Sequence, residues 1–290
     1  MKLMKTAGMW YNPGMTWLAL SAICSLVIAN ILRYARHHDL PFLPIMTVNY
    51  IQASLFSVLL CFGNDSISAT RLDVPLGVLN SVLYVGGFLL YFEAVKNCGI
   101  SIAVSVMRLS VALPVVAGVL WFGEDLSLYR ILGLLLMAIA LISIGHFSRS
   151  TISARAMGWL LLLFFVIGCS SVIDKAYNFY GKTGKNFYLA ALFFTAFLLS
   201  ALLTRFRGLT FSRKIVGIGL VLGIPNQATS LFLLMALSTV DSVVAFPTLA
   251  ISVLSGSMLC DRFIWGEPLT REKFFLIATS MAAIVLLNLG

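Results

Sequence analysis

Residues 99–121 read GISIAVSVMRLSVALPVVAGVLW, an apolar run with one arginine, Arg108, near its middle. A helix of about 20 apolar residues matches about 30 Å of hydrocarbon, so the stretch predicts a membrane span. A guanidinium at the centre of such a span costs at least ~2.5 kcal/mol on insertion scales. It therefore requires a partner, a water-filled cavity or an anionic ligand. Pro114 follows in the same run, which ends on the polar cluster Gly123-Glu124-Asp125.

The rest of the chain has the same character. Of 290 residues, 60% are hydrophobic and only 11% are charged, against roughly 25% charged in a soluble domain. That much apolar surface needs lipid as solvent, which predicts an all-α, polytopic membrane protein. A membrane barrel would show alternating ten-residue segments rather than continuous runs. The formal net charge of +9 falls mostly in short loops, where basic residues set topology and meet anionic headgroups. Nucleic acid is not an expected partner. Cys24, Cys61, Cys98, Cys169 and Cys260 lie inside or at the ends of apolar runs and have no metal-type spacing. They read as small apolar packers, with no disulfide, metal or cofactor expected. The leading MKLMKTAGMWYNPG has no clean cleavage site and reads as a lead into the first helix.

Ten spans are expected, at 15–35, 41–62, 75–97, 99–121, 127–147, 157–179, 186–204, 214–239, 241–263 and 270–289. Connections are short and polar. Spans three and four are joined tightly at Asn97-Cys98-Gly99, and spans eight and nine around Thr239-Val240-Asp241. Both pairs are expected to be antiparallel neighbours.

The chain repeats itself. Gly123-Glu124 with Ser127 aligns with Gly266-Glu267 and Thr270, 143 positions on. Gly14 at the start of span one matches Gly158 at the start of span six at nearly the same offset. The expected division is 1–150 and 151–290, each with five spans. Five is odd, so the second half enters the membrane from the opposite face. Inverted repeats are a transporter signature, with the substrate site near the midplane between the halves. An even number of spans puts both termini on one face. That face carries seven loop Lys and Arg residues against twelve on the other, so the positive-inside rule taken literally places the termini outside. The excess comes mainly from the single loop at 205–214.

The segment from Tyr91 to Gly145 resembles one repeat of the drug/metabolite transporter superfamily, in its EamA-like ten-helix branch. The residues that carry the resemblance are Glu93-Ala94-Val95-Lys96, Pro114, Gly123-Glu124 with Ser127, and the glycines from Gly133 to Gly145. The second half keeps Ala236-Leu237, Gly266-Glu267 and Thr270. It departs by placing its proline early, at Pro247, with Ser257 opposite Pro114. The resemblance implies a secondary transporter of small metabolites, often an exporter, in a bacterial-type inner membrane. It also implies a cavity lined by spans one, three, four, six, eight and nine, peripheral spans five and ten, and cytoplasmic termini. The last point disagrees with the charge count.

Arg108 lies about 15 Å from either end of its span at helical rise, with no equally deep acidic residue in another span. It either binds a carboxylate or phosphate of a substrate, which its planar fork suits, or bonds carbonyls and hydroxyls of neighbouring helices. Asn80 and Tyr84 are one turn apart and share a face. In the other half, Asn226 and Gln227 correspond to Leu83 and Tyr84 and follow Pro225. These four residues are candidates to line the site, or amides that tie helices together. Asp174, beside Lys175 near the end of span six, is either a proton or cation site or a charge facing headgroups. Glu93 is a second candidate for coupling. Asn49 and Gln52 in span two favour packing, and Asn30 is ambiguous in the same way. Glu124 and Glu267 read as turn and capping residues. Gly219 and Gly223 form a close-packing GxxxG face. Pro114, Pro225 and Pro247 are the expected hinges.

An enzyme is disfavoured. The three histidines, His37, His38 and His146, sit at span ends, and no HExxH, GxSxG or pair of deep acids is present. A channel would want rings of repeated polar residues. The expected function is alternating-access transport, with export favoured, of an amino-acid-like or other carboxylate-bearing solute. A carrier of phosphate-bearing substrates, sugar-nucleotide or lipid-linked, is the alternative. The expected partners are a small-molecule substrate and the lipid bilayer, with the protein a monomer or weak homodimer.

Overall fold

The computed structural model describes residues 13–62, 71–98, 100–146, 153–181, 184–266 and 271–289. Eleven helices make up the described chain. They are α1 (Pro13–His37), α2 (Phe42–Phe62), α3 (Asp73–Cys98), α4 (Ile100–Leu109), α5 (Ala112–Phe122), α6 (Leu128–His146), α7 (Ala154–Tyr180), α8 (Lys185–Phe206), α9 (Arg213–Ala236), α10 (Ser242–Phe263) and α11 (Arg271–Leu289). All ten expected spans are present, with α4 and α5 sharing the fourth. Eight spans are long and apolar enough to cross a membrane, and Ile102–Phe122 counts as one of them. The fifth and tenth contain shorter apolar stretches, Leu128–Ile139 and Ile277–Leu289.

The break between α4 and α5 follows from Pro114. Proline has no N–H to offer the carbonyl four residues back, which belongs to Ser110, and its ring crowds that turn. The Ser110 carbonyl instead accepts from Leu113 at 3.0 Å, and the Arg108 carbonyl from Val111 at 3.3 Å. The chain tightens there before α5 resumes. Pro225 and Pro247, by contrast, sit inside helices that continue through them.

The packing partners come in matched pairs. α2 packs on α8, and α6 on α11. α9 packs on α1 and α2, while α3 packs on α7 and α8. α1 also lies against α10, as α7 lies against α4 and α5. The third and fourth spans are neighbours, as expected. The eighth and ninth are not: α9 and α10 share a tight turn but splay apart. The reason is that α9 is held by α1 and α2, whereas the start of α10 is held by the turn after α5, described below.

The GxxxG face packs as read. A Cβ on Gly219 would lie 2.8 Å from the Ile45 carbonyl, and one on Gly223 would lie 2.9 Å from that of Asn49. The backbones of α9 and α2 therefore touch. Gly123 and Gly266 both take left-handed φ, +67° and +69°, which a side chain rarely adopts. Gly123 ends α5 in an αL cap, its N–H bonded to the Gly118 carbonyl. Glu267 and Thr270 of the second turn lie outside the described residues. Outward faces carry large exposed apolar side chains such as Leu59, Leu120 and Val221, as lipid contact allows.

Candidate functional site

The broken span places Arg108 in the last turn of α4, at a helix C-terminus inside the membrane region. The carbonyl end of a helix carries partial negative charge, which favours a cation. Arg108 is partly buried, and its Nε has no hydrogen-bond partner. Its electrostatic partner is Tyr91 on α3. Among the described residues, no carboxylate pairs with it.

Asn80 is fully buried on α3 and lies at the centre of a polar network. Its Nδ2 donates to Asp174 Oδ1 at 3.0 Å and to the Tyr188 hydroxyl at 2.7 Å. The Tyr188 hydroxyl in turn donates to the same Asp174 oxygen at 2.7 Å. Ser170 donates to Asn80 Oδ1 at 2.7 Å. Three helices, α3, α7 and α8, thus meet on one acid. Asp174 faces inward to this network rather than outward to headgroups, because its helix turns it towards Asn80. Asp174 lies six residues before the end of α7, and among the described residues its side-chain partners are the neutral donors Asn80 and Tyr188.

One turn on from Asn80, the Tyr84 hydroxyl donates to Asn226 Oδ1 at 3.2 Å and bridges α3 to α9. Tyr50 and Phe193 pack edge-on against the Tyr84 ring. Gln227 is fully buried, and neither its amide nitrogen nor its oxygen has a hydrogen-bond partner. An unpaired buried amide costs ~1–3 kcal/mol per polar group, so it marks a place where a ligand group would be welcome.

The candidate residues do not form one cluster. Asn80 with Asp174, and Tyr84 with Asn226, lie in the half of the membrane nearer the chain termini. Tyr91, the partner of Arg108, is seven residues beyond Tyr84 on α3, or ~10 Å along the axis. Glu93 lies further still, near the opposite end of α3. Its carboxylate makes no ion pair among the described residues. Asn97 donates to its backbone carbonyl at 2.6 Å.

A second polar constellation sits at the membrane face of the termini. Glu124, in the turn after α5, points across the molecule. Its carboxylate accepts the Ser242 N–H at 2.8 Å, the Val243 N–H at 2.9 Å and the Ser242 hydroxyl at 2.6 Å. It also pairs with Lys175 of α7. Glu124 is therefore a capping residue, as its place in the turn suggested, but it caps α10 in the other half of the chain. Its own following helix is capped by Ser127, which accepts from Arg130 N at 3.2 Å. Arg130 bridges the same turns, with its Nη1 3.1 Å from Asp241 Oδ2 and 2.6 Å from the Asp125 carbonyl. In the sequence, Lys175 stands out only as the neighbour of Asp174. The available signal was that adjacent residues on a helix point in different directions.

On the opposite face, Arg33 of α1 pairs with Asp261 of α10 and lies over the Trp265 ring at 4.6 Å. Trp265 Nε1 donates to Asn30 Oδ1 at 2.8 Å, so Asn30 ties α1 to the turn that follows α10. Among the described residues, no group of His, Cys, Asp and Glu side chains is gathered for a metal.

Comparison with known proteins gives this arrangement a context. Residues 12–145 match the EamA-like transporter family model. A Haemophilus influenzae protein described as uncharacterized is 26% identical over 271 residues, covering 88% of this chain and 90% of that protein. A solved crystal structure aligns over 96% of this chain and 97% of its own, with a TM-score of 0.81 and 14% identity. That likeness is one of fold. The match places residues 12–145 with the EamA-like transporters of the drug/metabolite transporter superfamily, and the eight helices long and apolar enough to cross a membrane fit a multi-pass membrane protein.

Proposed function

We propose that this member of the drug/metabolite transporter superfamily moves a small carboxylate-bearing metabolite, amino-acid-like in size, by alternating access, with export as its direction. The observation that carries the reading is Arg108. It is a cation at a helix break in mid-membrane, its Nε is unpartnered and no described carboxylate neutralises it. A substrate carboxylate supplies the missing charge and matches the planar guanidinium. Gln227, with both amide atoms unpaired, and the Tyr84–Asn226 bridge supply hydrogen bonds further along the path. Asn80 holds Asp174, the group placed to take up a proton in coupling; Glu93 lies apart from it.

Two inverted five-helix halves, 1–150 and 151–290, supply the moving parts. The reading is supported by the paired helix contacts and by the matching left-handed glycines, Gly123 and Gly266. Pro114, where a helix breaks, is the first hinge, with Pro225 and Pro247 as secondary ones.

The test is a thermal-stability screen of the purified protein against anionic, zwitterionic and cationic metabolites. Binding to the native state raises the melting temperature by mass action. Carboxylates or amino acids are expected to stabilise the parent and not Arg108→Gln. Stabilisation by phosphate esters alone would replace the carboxylate reading with a phosphate one. Stabilisation that persists in Arg108→Gln would remove the anchor role.

A further inference from the structure

The fourth and ninth spans meet on one side of the membrane only. α5 packs on α10 near its start, at the face of the chain termini, whereas α4 and α10 barely touch in the other half of the membrane. The two spans therefore form a wedge that closes towards the terminal face. At the closed end lies Glu124. It joins the turn after α5 to α7 through Lys175, and to the first turn of α10 through Ser242 and Val243. The Ser242 hydroxyl also donates to the Pro114 carbonyl at 3.3 Å, on the α5 side of the break that ends α4.

The fit is close. A Cβ on Gly118 would lie 2.4 Å from Ser242 Oγ and 2.5 Å from Glu124 Oε2. The side chains of Lys175 and Glu124 are only 9% and 5% exposed. Lys175 further lies 5.8 Å from the Phe122 ring centre. Arg130 and Asp241 form an outer pair above them.

We infer that Glu124, Lys175 and Ser242 form a charged latch that holds the terminal face shut, and that opening this face requires the latch to break. The inference rests on the transporter reading, because a gate has a purpose only in alternating access. The geometry explains why a buried ion pair is used. One carboxylate satisfies two N–H groups and a hydroxyl of α10 and an ammonium of α7 together, and the three α10 partners lose it at once when α5 moves off α10. The contact is thus all-or-none, which suits a two-state element. Lys175 also follows Asp174 directly, so any turn of α7 that releases the latch moves the acid out of the Asn80 and Tyr188 network.

The test needs no substrate, so its failure is distinguishable from failure of the transport assignment. In a background with the native cysteines replaced, Thr248→Cys reports on the closed end of the wedge. Thr248 is buried on α10, six residues past Ser242, and its hydroxyl has no partner. Ser57→Cys, buried on α2, reports general loosening. Each protein is placed in lipid nanodiscs and labelled with a small charged thiol reagent. Glu124→Gln and Lys175→Met are each expected to raise labelling at 248 by about ten-fold, the rate following the open population. The double variant should label no faster than the faster single, since one latch is broken either way. Labelling at 57 should stay at the parental rate. Unchanged labelling at 248 in both single variants, or an equal rise at 57, overturns the inference.

Discussion

Lys175 and Glu124 are 51 positions apart in the sequence and form a buried ion pair, one from the sixth span and one from the turn that ends the fourth. Removing one partner of a buried pair leaves an uncompensated charge and costs ~3–5 kcal/mol, whereas removing both costs far less. Lys175→Met is therefore expected to lower unfolding stability in detergent by about that amount. The double variant Lys175→Met/Glu124→Gln should lose clearly less than the sum of the two singles. A strictly additive cycle would show that the two side chains do not act as a pair.

The pH dependence follows from the same carboxylate, which lies in the turn outside the spans. Burial pushes the Glu124 carboxyl up, but Lys175, the Ser242 hydroxyl and two backbone N–H groups together hold it below the ordinary value of 4.5. A carboxyl depressed in the folded state adds stability that is complete above its unfolded value and is lost as pH falls through its folded value. The stability gap between the parent and Glu124→Gln should therefore be flat well above the ordinary carboxyl value of 4.5 and should shrink as the pH falls below it. Melting temperatures of both proteins from pH 7 to pH 3 check this. A gap that widens on acidification would contradict it.

Gly118 and Gly86 make a controlled comparison. Both are helical, but a Cβ on Gly118 meets the latch, while one on Gly86 meets nothing within 4 Å. Gly118→Ala is expected to cost ~1–3 kcal/mol by overpacking. Gly86→Ala should stay within ~0.5 kcal/mol of the parent. Denaturant titration of the two variants separates them, and equal losses would remove the steric argument.

Asp174→Asn keeps the shape of the network around Asn80 and Tyr188 and removes the titrating group. If Asp174 couples transport to protons, the variant should lose accumulation driven by a proton gradient and retain substrate counterflow in proteoliposomes. Gradient-driven accumulation at the parental level would leave Asp174 a structural acid.

Much of the fold was written locally. Each expected span has its helical counterpart, because about 20 apolar residues between polar turns leave the chain no other way to satisfy its backbone in lipid. Gly219 and Gly223 announced a close helix contact and make one with α2. Pro114, Pro225 and Pro247 read alike as hinges, yet a helix breaks only before Pro114. The partners of the polar residues were not written in this way. Asn80 was legible as a candidate, but Tyr188 was not, since tyrosines near span ends are ordinary. Glu124 was legible as a cap, but nothing near it in the chain says that it caps a helix from the other half.

The amino-acid sequence by itself determined that this is an α-helical membrane protein and where its spans lie, because these depend on hydropathy and backbone chemistry within a single segment. The tertiary structure alone decided that α9 and α10 part, that Arg108 stands away from Asn80, and that Lys175 reaches Glu124. The physical reason is the solvent. In water, a helix shows its buried face as an apolar stripe. In lipid, the outward and inward faces are both apolar, so the rotation and register that choose polar partners are set only when the helices pack.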